Sequence, residues 1–70
     1  MIEVFKTNVS DTEQAKLLLD LLALRFPGNK INFDLYDCDK ILRIDGSDYI
    51  VDDIRNLLNT HGFECEILTS

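Results

Sequence analysis

The chain has 70 residues, 46% of them hydrophobic, and its 13 acidic and 7 basic side chains give a net charge of −6. This length fits one small domain over residues 1–70, and the acidic balance excludes nucleic acid and anionic membrane surfaces as expected partners. Because the amino terminus has no basic segment and no apolar run approaches about 20 residues, we expect a cytoplasmic protein without a targeting or membrane segment.

The first predicted element is a strand over residues 2–7. Its apolar Ile2 and Val4 alternate with the charged Glu3, and a period of two is typical of a strand that is buried on one face. This phase places Val4 in the core and Phe5 on the open face of a sheet.

A helix is predicted over residues 11–25. Ser10 and Glu13 have the spacing of a capping box, in which each side chain accepts a hydrogen bond from the backbone amide of the other. Pro27 ends the helix because the residue before a proline avoids the α conformation.

The middle of the chain predicts a β-hairpin. Apolar and polar residues alternate over residues 31–36, which puts Tyr36 on the open face, and residues 37–40 have turn chemistry. A third strand over residues 41–44 follows after a connection too short for a parallel crossover, so the two strands are antiparallel.

The last predicted elements are a helix and a strand. Polar residues 45–48 are placed to cap a helix over residues 49–60, which carries an apolar stripe on one side. Gly62 is placed for a left-handed cap at the end of this helix. The strand over residues 63–67 alternates again and turns Cys65 inward.

The order βαββαβ predicts an α+β, ferredoxin-like fold, with two helices on one face of a four-stranded antiparallel sheet. Its usual strand order, 4-1-3-2, puts the second and fourth strands at opposite edges. Cys38 and Cys65 are then too far apart for a disulfide, so both are expected to be free thiols. The predicted core consists of Val4, Leu18, Leu22, Phe33, Leu42, Ile44, Ile54, Leu58 and Ile67.

Nearly the whole chain resembles the heavy-metal-associated domain, the fold of copper chaperones and of modules of metal-pumping ATPases. The resemblance rests on the length, the element order, the loop over residues 7–15 and, more specifically, residues 59–68. In that family a Met-x-Cys-x-x-Cys loop binds a soft metal ion through two thiolates. The matching positions here are Val9, Asp11 and Gln14, so the resemblance implies a degenerate member that lacks the metal site.

The other candidate ligands have ordinary explanations. Asp11 is placed to stabilise a helix N-terminus and His61 a helix C-terminus, Cys65 is a packed thiol, and Cys38 lies among acidic residues that reduce its reactivity. A composite site of Asp11, Cys38 and His61 is the alternative, which would make the chain a metal-binding or metal-transfer protein with nonstandard ligands. The width of the sheet, roughly 14 Å between its edge strands, opposes it.

The sequence therefore predicts a monomeric, non-enzymatic protein-interaction or regulatory module that needs no cofactor. No serine or cysteine stands at a recognisable catalytic spacing from the lone histidine, and no glycine-rich phosphate loop follows a strand. The resemblance implies that a partner docks where the first loop meets the loop before the last strand. There Val9 and Phe63 are the candidates for an exposed apolar contact, and the alternative is that they are ordinary core residues.

Overall fold

The structure, a computed structural model, describes residues 2–36 and 38–68. The described residues form two helices and four strands. Asp37, which belongs to the predicted turn at residues 37–40, lies outside the described residues. The elements are β1 (Ile2–Thr7), α1 (Thr12–Arg25), β2 (Lys30–Asp34), β3 (Ile41–Asp45), α2 (Val51–Thr60) and β4 (Cys65–Ile67). This α+β arrangement is compatible with the predicted ferredoxin-like fold.

The four strands form one antiparallel sheet in the order β2-β3-β1-β4. This is the expected strand order read from the other edge, so β2 and β4 are the two edge strands. β2 ends at Asp34, two residues before the predicted end. Tyr36 therefore lies beyond the strand rather than on the open face of the sheet, and its side chain is fully exposed.

The phase of β1 is opposite to the predicted one. Phe5 is fully buried and pairs with Leu42 of β3, whereas Val4 lies on the open face and is only partly buried. Burying the larger phenyl ring removes more apolar surface from water than burying a valine, which explains the preference. The prediction for Ile67 is also wrong: it shares a face with Phe5 but is 37% exposed, at the end of a three-residue edge strand.

One hydrophobic cluster joins both helices to the Phe5 face of the sheet. Both helices therefore pack on the same face, as predicted. Phe33 packs against this cluster but is only partly buried. The side chains that are essentially inaccessible to water are Phe5, Val9, Leu18, Leu22, Leu42, Ile44, Ile54 and Leu58, of which all except Phe5 and Val9 were predicted core residues.

The helix ends differ from the predicted caps. Asp11, not Ser10, is the N-cap of α1, and its carboxylate accepts a hydrogen bond of 2.8 Å from the Glu13 amide. α2 begins after Ile50 without a side-chain cap, so the polar residues before it do not have the predicted role. Gly62 is confirmed as the left-handed residue that ends α2, with φ of 87°.

Replacing Leu22 by alanine is expected to reduce the free energy of unfolding by about 2–5 kcal/mol, because the substitution opens a cavity in the core. Leu24→Ala is the matched control, since Leu24 lies on the same helix with 80% of its surface exposed and should change stability by less than about 0.5 kcal/mol. Urea unfolding followed by circular dichroism measures both values. Equal losses in the two variants would contradict this assignment of the core.

Candidate functional site

Three loops meet at one end of the sheet, around the end of β1. The Thr7 amide donates to the Asp39 carbonyl over 3.1 Å, which joins β1 to the loop before β3. The Asn8 side-chain oxygen accepts from the Glu64 amide over 2.8 Å, which joins the first loop to the segment before β4. The first loop and the loop before the last strand are therefore neighbours, as the resemblance implied.

Thr7 holds the first loop in place through hydrogen bonds of its buried side chain. Its side chain is buried, and its hydroxyl donates to the Lys40 carbonyl over 2.6 Å. The same oxygen accepts a hydrogen bond of 3.2 Å from the Val9 amide, and Val9 itself is fully buried in the core. Of the two alternatives for Val9, the structure therefore shows a core residue and not an exposed contact, because Val9 follows Phe5 and Thr7 in the inward phase of β1.

Phe63 is the other half of the predicted apolar contact. It is partly buried and packs against the core cluster. Its amide donates to the Leu58 carbonyl over 2.9 Å as the chain leaves α2. With Val9 inside the core, an exposed pair of these two residues does not form.

The positions that correspond to metal ligands in the resembling family have other surroundings here. Asp11 is exposed and its carboxylate caps α1, while Gln14 is an exposed residue of the first turn of that helix. Within residues 2–36 and 38–68, no group of three or more histidine, cysteine, aspartate or glutamate side chains is placed to hold a metal ion. Asp11, Cys38 and His61 are thus not assembled into such a group.

His61 lies at the end of α2, where it was predicted. It is the C-cap residue, and its Nδ1 is 2.8 Å from the carbonyl oxygen of Leu57. With the proton on Nδ1, the ring donates to a carbonyl that the helix leaves without an amide partner. The histidine therefore interacts with the last turn of its own helix.

The two cysteines are free thiols in different environments. Cys38 is exposed in the loop between β2 and β3, whereas Cys65 is buried at the start of β4. Burial raises the pKa of the Cys65 thiol from its ordinary value of 9.0 to about 11, with Arg55 opposing the shift and Glu66 adding to it. At neutral pH Cys65 is a neutral, packed side chain and a poor nucleophile.

Exposed leucines on α1 form an apolar surface that the sequence analysis missed. The core takes Ala15, Leu18 and Leu22 from this helix, yet Leu17 is 57% exposed and Leu24 is 80% exposed. The signal was present in the run over residues 17–24, in which Asp20 is the only polar residue. A helix that is apolar on nearly all sides buries only part of that surface in one domain.

Two grooves flank α1. The larger, of about 460 Å³, lies between α1 and β2, and its apolar lining comes from Ala15, Leu19, Phe33, Leu35 and Tyr36. The smaller, of about 340 Å³, lies between α1 and α2 and has Leu21, Leu24 and Leu57 in its wall. The apolar surface of α1 is therefore accessible on both sides of the helix.

Comparisons of the chain with protein-family models, with curated proteins and with solved structures find no match. In the described part of the chain, neither helix has the length and apolar character that crossing a bilayer requires.

Replacing Thr7 by valine is expected to reduce the free energy of unfolding by about 1–3 kcal/mol, because the Lys40 carbonyl and the Val9 amide both lose their partner. Thr60→Val, at the exposed end of α2, is the control and should stay within about 0.5 kcal/mol of the unmodified chain. Thermal or urea unfolding measures the difference. An unchanged stability for the Thr7 variant would mean that this side chain does not hold the loop.

In the native protein, a thiol reagent at neutral pH is expected to modify Cys38 and to leave Cys65 unmodified until the chain unfolds. The reason is that Cys38 is exposed, whereas Cys65 is buried with a raised thiol pKa. Reaction kinetics with Ellman's reagent measure this, and Cys38→Ser should remove the fast phase. Rapid native modification of the Cys38→Ser variant would contradict the burial of Cys65.

Proposed function

We propose that this chain is a non-enzymatic protein-interaction domain on the ferredoxin-like scaffold of the heavy-metal-associated family, and that it has lost the metal site of that family. The observation that carries the proposal is the outer side of α1, where leucines remain exposed beside two grooves. A cytoplasmic setting fits two free thiols, because that compartment keeps cysteines reduced.

The assignment of the scaffold is supported by the order of elements and strands. The order β1-α1-β2-β3-α2-β4, with β2 and β4 at the sheet edges, is the arrangement expected of a ferredoxin-like domain. The hydrogen bond from the Glu64 amide to Asn8 also brings together the two loops at which the resembling chaperones dock. These features support the fold, whereas the kind of ligand depends on the side chains of the loop.

The side chains of the first loop favour contacts within the protein over a metal ion. Asp11 caps α1, Thr7 and Asn8 bond to neighbouring loops, and Val9 fills the core. Soft cations such as Cu(I) prefer thiolate ligands, and a carboxylate with a neutral amide at Asp11 and Gln14 replaces the thiolate pair here. The side chains of this loop thus form hydrogen bonds within the domain at the place where the resembling family binds a metal ion.

The surroundings of Cys65 and His61 do not favour nucleophilic catalysis. A cysteine nucleophile reacts as the thiolate, and burial keeps Cys65 protonated at neutral pH. The Nδ1 atom of His61 interacts with the Leu57 carbonyl instead of orienting toward a hydroxyl or thiol. These surroundings support a binding role over an enzymatic one.

The apolar surface of α1 supports binding to another protein. Apolar surface that is exposed and bordered by polar residues marks interaction sites on many proteins. Leu17 and Leu24 are exposed on the solvent side of the helix, and Leu19 lines the groove between α1 and β2. Their burial against a partner would stabilise a complex through the same hydrophobic effect that stabilises the core.

The double variant Asp11→Cys and Gln14→Cys is expected to gain tight Cu(I) binding on an unchanged backbone, because it restores the thiolate pair at the start of α1. The unmodified chain is the control, and stoichiometric Cu(I) or Zn(II) under reducing conditions should leave its amide NMR signals around residues 9–15 unshifted. The measurement is an amide NMR titration of both proteins.

Two outcomes of this titration contradict the proposal. Tight binding by the unmodified chain, with shifts centred on Asp11, Cys38 or His61, would favour the metal-transfer alternative with nonstandard ligands. Failure of a folded double variant to bind Cu(I) would show that the loop geometry differs from that of the heavy-metal-associated family.

A further inference from the structure

The edge strand β2 has a free side in the sheet. Among the described residues it is the terminal strand and pairs with β3 alone, through Lys30 to Asp34. Lys30, Asn32 and Asp34 are exposed on the open face, whereas Ile31 and Phe33 are partly exposed on the face that carries the helices. Such an edge presents unpaired backbone groups, to which another strand can add.

The sequence of β2 is complementary to itself in the antiparallel direction. If two copies pair about a two-fold axis at Asn32, Lys30 of each copy lies directly opposite Asp34 of the other. On the other face, Ile31 of each copy lies opposite Phe33 of the other. Opposite charges and aromatic–β-branched pairs are both stabilising when they face each other across antiparallel strands.

The groove beside β2 supplies apolar surface next to this edge. The groove is lined by Leu19 of α1, by Phe33 of β2, and by Leu35 and Tyr36, which follow β2. Tyr36 is fully exposed. A strand added along β2 would lie along this groove and turn alternate side chains toward it. Backbone pairing and apolar burial would therefore occur at the same place.

We propose that the partner of this domain is a second copy of the same chain, joined by antiparallel pairing of β2 with β2 about a two-fold axis at Asn32. The two sheets then form one continuous eight-stranded sheet, and the groove between α1 and β2 becomes part of the interface. This inference rests on the proposed function, because it names the partner, and it replaces the monomer expected from the sequence.

Charge favours this edge over the other one. β2 has one basic and one acidic residue, and α1 has two of each, so these two elements carry no net charge although the chain carries −6. The opposite edge strand, β4, is three residues long with Glu66 at its centre. Pairing of two β4 strands about that residue would place like charges face to face, which is unfavourable.

The first test compares Asn32→Asp with Asn56→Asp by sedimentation equilibrium from micromolar to millimolar protein. The unmodified chain should show a concentration-dependent increase in mass from 8.1 kDa toward twice that value. Asn32→Asp should weaken dimerisation about tenfold or more, because two carboxylates meet at the two-fold axis. Within one copy residue 32 faces Arg43, so the variant is expected to fold, and its amide spectrum checks this.

Asn56→Asp makes the same change on the exposed side of α2 and is expected to dimerise like the unmodified chain. A mass that stays at 8.1 kDa for the unmodified chain at every concentration would overturn the proposal. Equal dimerisation of the two variants would overturn it as well, since the copies would then associate through another surface.

The second test uses charge exchange at the ends of β2. Lys30→Asp alone would place two acidic residues opposite each other, and Asp34→Lys alone would place two basic residues opposite each other, so each variant should be monomeric. A mixture of the two should form a heterodimer, because opposite charges again face each other. Absence of this heterodimer between folded variants would contradict the antiparallel register about Asn32.

The metal titration and these association experiments separate the two proposals. Metal binding by the unmodified chain would contradict the proposed loss of the metal site without bearing on the mass of the protein. A monomeric chain that also binds no metal would contradict pairing through β2 and leave the metal-free interaction domain in place.

Discussion

The inward orientation of Phe5 on the central strand β1 determines the rest of the structure around the first loop. Successive residues of a strand point to opposite faces, so the burial of Phe5 also commits Thr7 to the core side, and Val9 continues inward beyond the strand. Thr7 then reaches the Lys40 carbonyl, and Val9 joins the core cluster. A shift of phase by one residue would have put Lys6 in the core, at the cost of a buried charge.

The same phase engages the side chains of the first loop within the domain. The loop that holds a soft metal in the resembling family is here closed by bonds from Thr7 and Asn8, and its helix is capped by Asp11. Because these side chains are engaged within the domain, the surface that we propose for a partner lies elsewhere. It consists of the outer side of α1 and the free edge of β2.

Much of the fold could be predicted from sequence, because the strands and helices have distinct periodicities and Gly62 ends α2 as expected. The phase of β1 was mispredicted because Val4 and Phe5 are adjacent apolar residues and either can be the buried one. The charge of Lys6, which shares the face of Val4, was the signal in the sequence for burying Phe5. The cap of α1 was ambiguous for the same reason, because Ser10 and Asp11 are both good caps. The site depended on that phase, because an inward Phe5 also turns Val9 inward and so decides between an exposed contact and the core for that residue.

The distribution of charge allows an apolar surface to coexist with a highly acidic chain. All of the net charge of −6 lies outside α1 and β2, each of which has equal numbers of acidic and basic residues. Repulsion between copies is therefore weaker where α1 and β2 approach than where α2, β4 or the acidic loops approach. Along β2 the arrangement of Lys30, Asn32 and Asp34 favours one antiparallel register between two copies. The charges therefore permit the two copies to approach at β2 and also select how the strands align.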